Sequence, residues 1–223
     1  MKRLFILLLA IVFTANAQQD DRPKLVVGIV VDQMRYDYLY RYWDLFGEGG
    51  FKELVNNGYS CTSTHYTYLP TYTGPGHASI YTGTAPWMHG IAGNHWFERE
   101  TGKSVYCAED KTVTAVGGTP EQGEYSPRRL LVNSIADEMR ISNSFKSKVI
   151  GIAIKERSSI LPAGHSANGA YWFDEVLGNW VSSTYYMKDL PKWAEDFNKK
   201  KRPEKLLSEK WETTYPLEKY TMC

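Results

Sequence analysis

Residues 70–79 read PTYTGPGHAS, and within them the hydroxyl of Thr73 stands just ahead of two glycines and a proline. Gly74 and Gly76 permit a sharp turn and close backbone approach, and Pro75 suits the first turn of a helix. The pattern predicts a helix over residues 73–82, ended by Gly83. At such a helix mouth, unpaired N–H groups and the positive end of the dipole favour an anion such as phosphate. The chemistry on offer is therefore a hydroxyl nucleophile beside a phosphoryl group, with a plain N-cap threonine as the alternative. Asp32 follows directly on the apolar run KLVVGIVV, Asn94 follows IAG, and Lys155 and Arg157 follow KVIGIAI. In open α/β sheets ligands collect just beyond the carboxyl ends of strands. Asp32 is thus placed to hold a cation, and Lys155 and Arg157 share that sheet edge. The alternatives are a turn aspartate and solvated strand-end charges.

These side chains need a scaffold of strands feeding loops and helices. The runs 24–31 and 148–154 are rich in Val and Ile and predict strands buried on both faces of a parallel sheet. Between them, residues 51–57 predict a short helix closed by Gly58, and residues 59–66 a strand leading into the Thr73 loop. Residues 87–93 read as a loop. Residues 96–98 and 104–106 flank Thr101 and Gly102 as a hairpin. The polar stretch 109–122 is expected to be an exposed loop. A long helix is expected from an N-cap at Ser126 through Pro127, Leu130, Leu131, Ile135 and Met139 to about Ser142. Beyond Ala170, aromatic residues around a turn at Leu177, Gly178 and Asn179 suggest a second hairpin. A Lys-rich helix near residues 191–200 follows, and this part reads as an insertion or cap.

Lys2 and Arg3 precede an apolar run to Phe13 and then Ala15, Asn16 and Ala17, the layout of a cleaved secretory signal. That run is far short of the roughly 20 residues of a spanning helix. Without Lys2 and Arg3, the 26 basic residues fall to 24 against 25 acidic ones, a balance with no basic footprint for nucleic acid. The expected setting is periplasmic or secreted, with no nucleic-acid partner and no membrane span in the mature chain. Cys61, Cys107 and Cys223 are an odd number of cysteines for an oxidising compartment. A Cys61 to Cys107 disulfide is expected, with Cys223 unpaired within the chain; three buried thiols are the alternative.

An aspartate after the first strand, a helix-mouth threonine, an asparagine and a Lys-x-Arg after a later strand resemble the alkaline phosphatase superfamily. More narrowly, the chain is similar to secreted bacterial alkaline phosphatases with a threonine nucleophile, related to type I phosphodiesterases and nucleotide pyrophosphatases. The motifs are VVDQMRYDYL, PTYTGPGHASIYTGT, IAGNHWF and IKERSSILPAGHSANGAYWFD. The resemblance implies an α/β fold with a central, mostly parallel sheet flanked by helices and a small cap. It implies hydrolysis of phosphate monoesters, small-molecule substrates, through a covalent phosphothreonine on Thr73 at a two-zinc (Zn2+) site. Asp32 and Thr73 would be metal ligands, and Asn94, Lys155 and Arg157 would contact the phosphoryl oxygens. His77, four residues after Thr73, could share its helix face as a base. A phosphodiesterase or nucleotide pyrophosphatase on the same scaffold, or a secreted phosphate-binding domain, are the alternatives. The Asp-His pair that the family carries late in its sequence is missing. The chain is accordingly expected to be the amino-terminal part of a longer enzyme, inactive alone, with signal 1–17, catalytic part 18–170 and the start of a cap at 171–223.

Overall fold

The computed structural model describes residues 23–220, so the signal-like segment 1–17 and Cys223 lie outside the described residues. The chain divides into two units, residues 1–43 and 44–223. In the first, the run 24–31 forms no strand, and its apolar side chains face solvent, Leu25 at 78% and Ile29 at 77%. The expected strand, buried on both faces, is not formed. Such a strand owes its order to ladder partners for its N–H and C=O groups, and none occurs among the described residues. Asp32 sits in a turn closed by the Met34 N–H on the Val31 carbonyl, with Gln33 at φ 61°. Helix α1, Tyr38–Arg41, follows, and Asp37 pairs with both Arg35 and Arg41.

In the second unit, helix α2 (Phe51–Asn57) ends at Gly58 as expected. Residues 59–66 form no strand and are exposed, which corrects the expected lead-in. Helix α3, Thr73–Thr82, ends at Gly83 in the left-handed conformation, φ 66°. A short helix α4, Pro86–His89, replaces part of an expected loop. It buries His89 completely: Ile91 N–H donates to Nδ1, so the ring proton lies on Nε2 and is donated to Ser79 Oγ. Burial lowers the pKa of this histidine and keeps it neutral.

Strands β1 (His95–Glu98) and β2 (Lys103–Tyr106) form the expected antiparallel hairpin, with His95 opposite Tyr106. The stretch read as an exposed loop instead carries strand β3, Ala115–Val116, and buried Asp110 and Val113. Ser126 caps a helical start as predicted, accepting from the Arg128 N–H. Only a 3-10 turn follows, because Ser134 and Asp137 form a capping box that begins a new helix α5, Ile135–Ile141. Strand β4 (Ile150–Ile152), helix α6 (Glu156–Ala163), and strands β5 (Gly169–Asp174) and β6 (Asn179–Ser183) complete the core. Helix α7, Lys192–Asn198, matches the predicted Lys-rich helix.

The sheet has the order β3, β6, β5, β4, parallel between β4 and β5 and antiparallel elsewhere. It is a mixed sheet flanked by helices, so the α/β class holds, and the sheet runs through position 170 without a break. Helix α6 is its central support, packing on α3, β4 and β5. Ile160 and Ala163 join buried Trp172, Ala170 and Val181. Leu161 joins Ala78 of α3, Ile91, Cys107 and Leu130 in a second cluster. Strand β4 is buried on one side only. A Cβ on Gly151 would fall 2.4 Å from the Ser159 carbonyl oxygen of α6, whereas Ile150, Ile152 and Ile154 are all exposed.

Candidate active site

Thr73 is the first helical residue of α3, and the N-cap position belongs to Tyr72, which makes no side-chain cap. The plain N-cap role is therefore not the one Thr73 plays. The next residue locks the helix mouth: Gly74 N–H donates to Asn94 Oδ1 at 2.7 Å. A side chain at Gly74 would meet Asn94 Oδ1 at 3.1 Å and both Cys107 Sγ and the Gly93 carbonyl oxygen at 3.2 Å. Glycine is needed here for close approach, not for backbone freedom. The mouth offers fewer N–H groups than the sequence suggested. Pro75 has none, Gly74 is committed to Asn94, and Gly76 donates to the Tyr72 carbonyl. Since Asn94 Oδ1 is an acceptor, its Nδ2 is the donor side of the amide. The Asn94 carbonyl in turn accepts from the Cys107 N–H, which ties it to the end of the β hairpin.

Arg157 is the second residue of α6 and is mostly buried. Its Nη1 donates to the Tyr106 hydroxyl at 2.9 Å, and that hydroxyl donates to Glu156 Oε1. Burial alone would lower the arginine pKa, but the Tyr106 hydroxyl and the Glu156 carboxylate outweigh it and raise it, so Arg157 is a fixed cation. Tyr106 is pushed well above its ordinary value, first by burial and then by Glu156, and remains a phenol. Cys107 joins this cluster to the helix mouth through its contact with Gly74.

Thr73, Asn94 and Arg157 are thus linked through one continuous set of contacts. Lys155 is set apart from it: the N-cap residue of α6 is half-exposed and pairs with Glu175 at 2.5 Å. His77 Nδ1–H donates to the main-chain oxygen of Thr73 at 2.9 Å, so the ring braces the backbone of that residue. Asp32 belongs to the first unit. The expected Cys61 to Cys107 disulfide is not formed, because Cys61 is exposed and Cys107 is a fully buried free thiol, which burial pushes up to about 12.

Among the described residues, no group of three or more His, Cys, Asp or Glu side chains gathers to hold a metal ion. Asp32 in the first unit and Thr73 in the second are two expected ligand side chains, where zinc takes about four ligands. The described residues do not fit a zinc centre by themselves. Tyr106, Cys107 and Glu156 were missed by sequence reasoning. Only Glu156, enclosed between Lys155 and Arg157, carried any local signal.

A mixed sheet supported by α6, with a threonine at the mouth of the helix α3 that packs on α6, places the chain in the α/β class. Residues 26–221 match the family of type I phosphodiesterase / nucleotide pyrophosphatase, and the chain belongs to that family. It is 53% identical to alkaline phosphatase PafA of Elizabethkingia meningoseptica, over 90% of this chain and 37% of that protein. Alkaline phosphatase PhoV of Synechococcus elongatus is 48% identical over 98% of this chain and 42% of its own length. A Myroides odoratus protein named calcium-transporting ATPase is 54% identical over 91% of this chain and 37% of its own. The crystal structure of wild-type PafA matches with a TM-score of 0.88, covering 90% of this chain and 39% of that one, at 53% identity. A PafA variant with Thr→Ser, Asn→Ala, Lys→Ala and Arg→Ala substitutions matches with the same TM-score, at 51% identity over the same shares of the two chains. The chain spans about two fifths of the length of these relatives.

Proposed function

We propose that this chain carries the nucleophile and phosphate-contacting part of a phosphomonoesterase, in a periplasmic or secreted setting. The observation that carries this reading is the Gly74 to Asn94 bond, which fixes an amide donor beside Thr73 at the start of α3. In the reaction, Thr73 Oγ forms a bond to phosphorus while the bond from phosphorus to the ester oxygen breaks, and the leaving alcohol takes up a proton. Water then bonds to phosphorus as the bond from phosphorus to Thr73 Oγ breaks, and a proton from the water restores the hydroxyl as orthophosphate leaves. Asn94 Nδ2 and the Arg157 guanidinium are the donors for the non-bridging oxygens, whose charge positioning and fixed dipoles stabilise. Lys155 carries three donors, of which Glu175 takes one, and the others remain for a phosphoryl oxygen. The PafA variant supports these assignments: it alters a threonine, an asparagine, a lysine and an arginine in that chain order, the last two separated by one residue. Asp32 and Thr73 are retained as the metal-facing candidates of a zinc site whose other ligands are not among the described residues.

In the full-length protein, Thr73→Ala is expected to lower monoester turnover by several powers of ten with the fold intact, and Thr73→Ser to keep substantial activity. Near-normal turnover by folded Thr73→Ala protein would remove Thr73 from the mechanism. The family description favours a second reading, cleavage of phosphodiesters or nucleotide pyrophosphates. A monoester dianion gains more than a diester from two cations. Lys155→Ala and Arg157→Ala should therefore each cost about one to two powers of ten in monoester kcat/KM, and much less for a matched diester. Equal losses, or a larger loss for the diester, favour the second reading.

A further inference from the structure

We propose that Tyr106 is the positioning residue for Arg157, its hydroxyl setting the direction in which the guanidinium meets a phosphoryl group; this rests on the reading of Arg157 as a phosphate contact. The hydroxyl accepts from Arg157 Nη1 and donates to Glu156 Oε1. Only a protonated phenol can do both, and burial together with the Glu156 carboxylate holds Tyr106 in that form. Glu156 is the competitor. Its Oε1 lies 3.6 Å from Arg157 Nη1, so a side chain without a hydroxyl at position 106 leaves the carboxylate as the nearest acceptor and turns the guanidinium toward it. With one Nη1 proton committed to Tyr106, the guanidinium keeps further N–H donors for a ligand, and Arg157 Nε is buried without a partner.

The ring of Tyr106 is itself fixed. It lies against His95 with centroids 4.7 Å apart and against Tyr125 at 5.9 Å. The following residue, Cys107, abuts Gly74 and donates its N–H to the Asn94 carbonyl. One dipeptide therefore sets Arg157 relative to the start of α3, and it is the phenol oxygen that addresses the arginine.

The test uses Tyr106→Phe, Arg157→Ala and the double variant in the full-length protein. Tyr106→Phe keeps both ring contacts and is expected to lower monoester kcat/KM about tenfold, the order of loss from misdirecting one reacting contact. Added to Arg157→Ala it should cost nothing further. NMR of the Arg157 side chain should show Nη protons held apart in the parent and averaged in Tyr106→Phe. Losses that multiply in the double variant, or unchanged Arg157 signals in Tyr106→Phe, overturn the proposal. If Arg157→Ala has no effect on turnover, the reading of the site fails, and the NMR result still decides the positioning. Glu156→Gln serves as a second variant, since its amide oxygen still accepts from Tyr106. Its loss should be clearly smaller than that of Tyr106→Phe, and a loss as large would assign the positioning to the carboxylate instead.

Discussion

The frame beneath Thr73 and the outer face of β4 are built from similar residues and meet opposite fates. Ile160 of α6 is 0% exposed, whereas Ile152 of the neighbouring strand is 58% exposed. In the frame, several polar groups find partners at short sequence separation or in the chain's own loops, as with Ser134 and Asp137 or Gly74 and Asn94. On the outer face of β4, and separately in the run 24–31 of the first unit, apolar side chains patterned for burial face solvent. Partners made by local hydrogen bonding form within these residues, whereas cover for a strand face must come from distant chain.

The largest expected effect lies in the frame, at Asp137. This buried carboxylate accepts from the backbone N–H groups of Ser134, His165 and Ser166, and so ties the start of α5 to the loop after α6. Gly164 makes room for it, since a Cβ there would fall 2.1 Å from Oδ2 at a φ of 75°. Asp137→Ala leaves these three backbone donors and the Ser134 hydroxyl without their acceptor, at about 1–3 kcal/mol for each that stays buried, so a loss of about 3 kcal/mol or more is expected in denaturant unfolding. Burial alone would raise its pKa, but the Ser134, Ser166 and His165 groups outweigh it and lower it below 3.8. The stability it contributes is therefore present above pH 3.8 and is lost as pH falls through the depressed folded value. Asp137→Asn should flatten the acid limb of the stability profile. An unchanged acid limb would show that these contacts do not discriminate the charged form.

Helix α3 and the hairpin of β1 and β2 were legible because Gly83, Thr101 and Gly102 act within a few residues of the elements they end. The break between Ser126 and α5 was not, because Leu130, Leu131 and Ile135 keep helical spacing across it and the second N-cap at Ser134 prevails only through Asp137. Thr73, Asn94 and Arg157, the proposed phosphate-facing residues, were singled out through the family resemblance of their motifs, and the structure links them through Gly74, Cys107 and Tyr106. The reach of Tyr106 to Glu156 and Arg157 crosses 50 residues and left no pattern. Cys107 was misread for a related reason: an odd cysteine count says nothing about which thiol is packed against a glycine.

A smaller effect is expected at Gly74, where the frame is tightest. The Cβ of Gly74→Ala must displace Asn94, Cys107 or the Gly93 carbonyl by a few tenths of an ångström, an overpacking that costs about 1–3 kcal/mol. Because the same shift moves the Asn94 amide, monoester turnover should fall further than stability alone explains. Cys107→Ala on that background removes the sulfur and should recover part of the stability while leaving Asn94 displaced. Equal recovery of both would mean that Cys107, not Asn94, transmits the strain.

The smallest effect tests the other side of the comparison. Ile152→Thr keeps the β-branched shape suited to a strand and removes apolar surface that already faces water, so in this chain it should change stability by no more than about 0.5 kcal/mol. Ile160→Val, a smaller chemical change at a fully buried position, should cost about 0.5–1.5 kcal/mol. That inversion, with the milder substitution costing more, is what an uncovered strand face predicts. A loss of about 2 kcal/mol or more at Ile152, found in this chain on its own, would mean that the outer face of β4 is covered and that the contrast between the two regions does not hold in solution. Should the loss appear only at high protein concentration, the cover is a second copy of the chain, since association stabilises by mass action and vanishes on dilution.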